Sequence, residues 1–475
     1  MRPRTLLLLP AALPLTLRAH GFDERHDLPA PLGHFVLGAA LAVTLSFVLA
    51  ALFARGAPAS PGERVAQGAP VRLPFMVVAG LRLAGLLLFA VVVFAAFAGT
   101  ADPVMNIAPT FVWIVWWVGL SLVAACVCNL WPLLDPWATL FDAADWAARG
   151  LGLRSGIALQ WRWPPALGMW PAAVLLLVWS WLEVVYPLAA VPSRIGWAAL
   201  LWSGVTLAGM LCFGRERWQR HGDVFAIYFA LLGRLAPLVL DACGRRVALR
   251  TPGSALIAPP DALPAGAVAF ILAMLSTVLF DGLHASQAWP WFEAVLARLA
   301  PQGAAVTAEA AGTIGMVLVW LLFLAAYGIT CWITAKATGV ASACAIARAY
   351  APTLVPVAVG YNIAHNFSSL LEQGQTMLTL VSDPFGWRWN LLGTAQLHTR
   401  SGIVDARMTW YVAIGTVVLG HCIGVWLAHR VALRQNGNRA AAVRAAVPLV
   451  LLMLVYTAVS LFVIADPMVR YQPPD

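Results

Sequence analysis

The sequence predicts an all-α, polytopic membrane protein with about ten transmembrane helices, an N-terminal signal peptide and one or two interfacial helices. Two observations predict it. Of 475 residues, 61% are apolar and 11% charged, and the mean hydropathy is +0.80; a soluble domain carries about a quarter charged residues. The apolar residues also run continuously over the ~20 positions a helix needs to cross a bilayer, without the alternation of a β-barrel strand. This composition excludes a soluble enzyme, a disordered chain and a nucleic-acid-binding domain. The net charge of +9 reads as the basic bias of inner loops rather than as a polyanion site. The 22 Trp are expected in aromatic belts at the two interfaces.

Residues 1–19 read as an export signal. Met1–Arg4 carries two arginines, Thr5–Leu17 is a short apolar stretch broken by Pro10 and Pro14, and Leu17-Arg18-Ala19 precedes the polar run His20–Asp27. Cleavage after Ala19 leaves residues 20–475 as a single transmembrane helical domain beginning on His20, which offers a metal both an amine and a ring. An uncleaved anchor is the alternative.

Further spans are expected at 34–53, 75–99, 111–130, 166–190, 195–213, 265–288, 313–333, 353–381, 408–430 and 446–465. Backbone groups in lipid must be satisfied internally, so these are helices. Segment 132–149 mixes Trp, Leu and Asp and reads as an interfacial helix. Segment 224–241 reads as a second one, because Arg234 and Pro237 interrupt it. With these spans the inner loops hold well over twice as many basic residues as the outer segments, which puts both mature ends outside. Loop 214–264 is the most basic and is expected to anchor beside anionic lipid. Neither a Walker A motif nor a strand-bound GxGxxG is present, which argues against an ATP-driven pump. The seven Cys avoid the outer segments, so no exported disulfide framework is expected.

Ionisable groups at membrane depth are costly and mark candidate sites. Here they are Glu183, Asp281, His284, His365, Glu372 and His421. His365 and Glu372 are seven residues apart on one helix face, with Tyr361 one turn before His365 and Asn362 and Asn366 flanking it. Asp281 and His284 stand at i and i+3. His421 lies inside Gly420-His-Cys-Ile-Gly424, a spacing that admits a close neighbouring helix. One reading is a metal site: His284, His365 and His421 as ligands, Asp281 or Glu372 as ligand or general base, and a divalent ion such as zinc or copper. The other is interhelical hydrogen bonding that fixes packing. The outer segment 382–390 reads as an interfacial anchor or as a lid over an outward pocket.

Several stretches resemble a group of bacterial integral membrane proteins named fenitrothion hydrolase, organophosphorus ester hydrolases. They are His20-Gly-Phe-Asp-Glu-Arg-His-Asp-Leu-Pro29, Asn106-Ile-Ala-Pro-Thr-Phe-Val-Trp-Ile-Val-Trp-Trp117, Asn129-Leu-Trp-Pro-Leu-Leu-Asp-Pro-Trp137, Gly360-Tyr-Asn-Ile-Ala-His-Asn-Phe367 with Gly374-Gln375, and Ser382-Asp-Pro384. The chain departs from the family pattern at His26, where Tyr is expected. The resemblance implies a bacterial inner-membrane protein, with the bilayer and a small hydrophobic substrate as partners, that hydrolyses phosphotriester bonds. Such esters are man-made, which leaves room for a different natural role. Two alternatives stand beside it: a carrier of a metal ion or small solute using the midplane histidines and carboxylates, and a membrane assembly factor that handles copper at His20.

Overall fold

With no water to bond to, backbone amides in an apolar stretch close on their own helix, and the computed structural model shows the result. It describes residues 31–53, 70–241, 244–257, 263–301, 305–340, 342–397, 400, 403–436 and 438–465. The expected signal and His20 lie outside these residues. The chain is an all-α polytopic membrane protein: among the described residues, nine helices are long and apolar enough to cross a membrane.

The elements run α1 (Leu32–Phe53), α2 (Phe75–Ala98), α3 (Ile107–Cys126), α4 (Pro136–Gly150), α5 (Trp170–Val184), α6 (Pro192–Phe213), α7 (Arg215–His221), α8 (Val224–Gly233), α9 (Ala267–His284), α10 (Trp289–Leu299), α11 (Ala308–Thr338), α12 (Val355–Glu372), α13 (Ala406–Asn436) and α14 (Arg439–Ala465). Helix α9 and the segment that contains α12 are the most buried spans, each 72% inside the protein. Helix α9 packs on α5, α11 and α12, while α13 packs on α12, α14 and α1. A second group, α2, α3, α4 and α6, stands beside them.

The structure departs from the expected elements in four places. The expected span 166–190 shrinks to the 15 residues of α5, about 22 Å of helix. Its start is set by Gly168 at φ +44°, where a Cβ would meet the Ala265 carbonyl oxygen at 2.1 Å; the chain turns there against the approach to α9. Segment 224–241 is helical only over α8, and α8 is buried rather than interfacial. Its residues are apolar on every side, so a polar face for the interface is absent. Arg250 donates to the carbonyls of Gly233 and Ala236 and so satisfies the end of α8. The remainder joins a three-stranded antiparallel sheet, β1 (Val71–Arg72), β3 (Arg246–Leu249) and β2 (Leu238–Leu240) in spatial order, with Val71 opposite Val247 and Leu240 opposite Val247 on its other side. Finally, the tryptophans divide between surface and interior. Trp146, Trp161 and Trp197 are exposed, but Trp117, Trp131, Trp137 and Trp179 are buried. Trp137 stacks on Phe225 at 5.9 Å and Trp117 on Tyr228 at 4.7 Å, contacts of about 0.5–1.5 kcal/mol each.

Segment 132–149 is helical as expected, divided at Asp135. The Asp135 carboxylate accepts from Ala138 N at 3.0 Å and from Gln219 Nε2 at 2.9 Å, so it caps α4 and holds α7. Asp223 caps α8 in the same way through Ala226 N at 3.0 Å. Both carboxyls are buried. Burial raises Asp135 above the usual carboxylate range, against the pull of its hydrogen bonds and Arg215. Burial, then the charge of Asp135, raises Asp223 as well. Acids raised on folding bind extra protons in the native state, so stability falls as pH climbs above the unfolded value near 4. The melting temperature in detergent is expected to drop as pH rises from about 4 towards neutrality. Asp223→Asn keeps a capping oxygen and removes one titration, so it should flatten that profile; an unchanged slope would remove Asp223 from the explanation.

Candidate functional site

The two most buried spans meet at a histidine–carboxylate pair. Asp281, in the last turn of α9, lies 2.7 Å through Oδ2 from His365 Nε2 on α12. Helix spacing explains who else is present. Tyr361, one turn earlier, lies parallel to the His365 ring at 6.4 Å, and Asn366 Nδ2 donates to the Asn362 carbonyl at 3.2 Å. The helices come this close because residue 282 is glycine: a Cβ there would meet Val463 Cγ1 at 2.8 Å and Tyr361 Oη at 2.9 Å.

Glu183 on α5 faces the same space. Its Oε2 accepts from Trp117 Nε1 at 2.9 Å. Trp117 belongs to a π-helical stretch of α3, Thr110–Gly119, in which Leu120 N bonds five residues back to Val115 O. Such wide turns concentrate at functional sites. Here the widening lets neighbours Trp116 and Trp117 both pack inward against Phe225 and Trp179. Glu183, Asp281, Asn362, Asn366, Tyr228 and Thr277 line a cavity of about 20 Å³, room for roughly one water. The Tyr361 hydroxyl and Asn362 Oδ1 are buried without a hydrogen-bond partner, so donor and acceptor capacity remains beside the pair.

The other expected ligands make different contacts. The His284 ring packs on Trp289 at 4.7 Å and Phe280 at 5.6 Å, two members of the apolar cluster shared with α11, and it stays within electrostatic reach of Asp281, in keeping with the i,i+3 spacing. The His421 ring lies 5.6 Å from Tyr456 on α14, and its Nδ1 lies 2.8 Å from the Val417 carbonyl oxygen. The Gly420/Gly424 pair does admit a close helix: a Cβ at Gly420 would meet the Pro356 carbonyl oxygen at 2.5 Å, so the neighbour is α12. Glu372 ends α12 two turns beyond His365 and is not part of the cavity lining. Among the described residues no three His, Cys, Asp or Glu side chains converge in a way that could hold a metal ion. The expected convergence of His284, His365 and His421 is therefore replaced by a histidine–carboxylate pair and Glu183. Segment 382–390 is pinned in place: the Asp383 carboxylate accepts from Trp387 N and Arg388 N at 2.9 and 2.7 Å, and Phe385 packs on Phe94 of α2 at 5.1 Å. It does not border the cavity.

No known protein family, curated protein or solved structure matches the chain.

A second cavity, of about 140 Å³, lies on the far side of the tryptophans, lined by Trp113, Trp116, Trp131, Trp137, Trp179 and Trp202 among other residues. Its lining is almost wholly apolar. Trp179 borders this cavity and contacts Trp117, which borders the polar one, at 5.5 Å. One aromatic layer thus separates a greasy compartment from the charged one.

Filling the space at Gly282 should break the arrangement. Gly282→Val is expected to destabilise the protein by about 1–3 kcal/mol through overpacking. Denaturation in detergent measures it, with Gly80→Val on α2, where nothing lies within 4 Å, as the control. Equal losses at the two sites would show that the close approach is not needed.

Proposed function

We propose that this chain is a membrane carrier in which Glu183, Asp281 and His365 take up and release a proton during transport. The observation that carries the reading is the 2.7 Å His365–Asp281 contact, with Asp281 and Glu183 both lining one water-sized cavity. Imidazole and carboxylate groups held at membrane depth mark proton and ion pathways, because their desolvation is tolerated only for function or strong pairing. A proton fits a space that admits about one water; a larger solute does not. The basic loops favour both mature ends outside in an inner membrane.

Purified protein in liposomes containing a pH-sensitive dye tests the reading, with a valinomycin-driven potential and with zinc or copper supplied outside in parallel samples. Proton entry above empty vesicles is expected in at least one condition, with Asp281→Asn and His365→Gln reducing it tenfold or more. Flux equal to empty vesicles in every condition, or undiminished flux in both variants, refutes the proposal.

A second reading, hydrolysis of an organophosphorus ester, rests on the resemblance and gains support from the apolar cavity. Its 140 Å³ is close to the ~150 Å³ of an apolar cavity that takes up benzene, a size suited to an aromatic leaving group. On this reading His365, oriented by Asp281, serves as general base for the attacking water, and the aromatic layer must open to join the two cavities. Membranes containing the wild type should release nitrophenol from the ester, and His365→Ala should abolish that release. Activity retained in the variant rules out this base.

A further inference from the structure

The end of the fold that the basic-loop bias assigns to the inner face holds a separate polar cleft of about 1060 Å³, at the larger end of ligand-sized pockets. It is built by the start of α2, by α4, by α7 and by the turn before β3. Six guanidinium groups line it, from Arg82, Arg149, Arg215, Arg217, Arg220 and Arg245, against the three carboxylates of Asp142, Asp145 and Glu216.

These charges do not cancel. Asp142 is shared by two arginines, Arg82 at 3.0 Å and Arg215. Arg149 takes Asp145 at 2.7 Å. Arg220 reaches exposed Glu216 only at 3.6 Å. Arg217 donates to carbonyl groups, including those of Trp161 and Phe213. Arg245 is exposed and makes no ion pair among the described residues. Arg82 Nε is buried without a hydrogen-bond partner. The cleft therefore keeps a net positive charge and unspent N–H donors, the chemistry that takes phosphate oxygens.

Apart from Arg82, the α2 wall is apolar. Leu73, Phe75, Val78 and Ala79 line the cleft from the α2 side, and Phe75 and Met76 are 73% and 77% exposed at the helix start. That wall offers a free anion no partner and suits acyl chains.

We propose that this cleft binds the phosphate of an anionic phospholipid, with the headgroup among Arg82, Arg215, Arg220 and Arg245 and the acyl chains against the start of α2. Basic pockets beside inner-face helices hold such headgroups, and each arginine near the surface adds attraction. The site is independent of the Glu183–Asp281–His365 centre and shares no residue with it.

Thermal unfolding of the full-length protein in detergent tests the proposal, with cardiolipin, phosphatidylglycerol, phosphatidylcholine or inorganic phosphate added. The two anionic lipids are expected to raise the melting temperature by several degrees over phosphatidylcholine. The double variant Arg220→Gln/Arg245→Gln changes two exposed side chains and should need about tenfold more anionic lipid for the same shift. Arg298→Gln on α10, outside the cleft, should behave as wild type. Stabilisation by inorganic phosphate as large as by the lipids would keep the phosphate site and assign it to a soluble ligand. No preference for anionic over zwitterionic lipid together with no phosphate effect, or equal losses in the cleft and Arg298 variants, overturns it.

Discussion

A carboxylate in the last turn of a membrane helix is in a poor place. Lipid cannot solvate it, and the negative end of the helix dipole opposes it. Asp281 occupies that position in α9, and His365 of α12 answers it from 2.7 Å away. Much of the central packing follows from keeping those two groups together. Residue 282 has no side chain, so α9, α12 and α14 close around the pair, with Tyr361 Oη and Val463 where a Cβ would lie. Removing either partner leaves the other half-buried at membrane depth without its counterpart, where an unpaired ionisable group is costly.

The membrane class and most spans are legible because continuous apolar length is a one-dimensional signal. The departures have local causes. Apolar length alone extends the span at 166–190 across the turn at Gly168, whose φ of +44° is visible only once Ala265 is seen beside it. Arg234 and Pro237 in segment 224–241 end α8 but do not bring it to the surface. Strands of two to four residues are too short for a period to show. In the site, spacing puts Asp281 near His284, which also packs on Trp289, but the hydrogen-bonded partner of Asp281 comes from another helix that no spacing rule reaches. The Gly420/Gly424 signal was sound about a close helix and silent about its identity. Glu183 was visible as a membrane-depth carboxylate; its link to Trp117 depends on π-helical turns that the sequence does not announce.

That link ties the charged centre to the aromatic interior. The Trp117 indole faces Glu183 with its N–H and Tyr228 with its ring. Its neighbour Trp116 reaches Phe225 at 4.6 Å, and Phe225 stacks on Trp137. A change at Glu183 is therefore felt first by a rigid stack rather than by mobile side chains. Rigid aromatic contacts change by discrete repacking, so protonation at Glu183 and the state of the apolar cavity behind Trp179 are physically adjacent events.

Any carrier motion has to pass through the same constraints. Helices α12 and α13 touch backbone to backbone: a Cβ at Gly360 would meet the Thr416 carbonyl oxygen at 2.4 Å, and one at Gly420 the Pro356 carbonyl oxygen at 2.5 Å. Sliding either helix alone would drive Cβ-bearing residues into those gaps, so the two are packed as a unit. Helix α12 is flanked by tighter turns: Ala351–Leu354, before it, is a 3₁₀ segment containing Pro352, and Gln373–Thr376, after it, is another, containing Gly374. Against α9 the contacts include the Asp281–His365 pair and those around Gly282. If the pair exchanges a proton as proposed, the interaction that holds the α12–α13 unit to α9 changes with it, and displacement of that unit would act on the same contact.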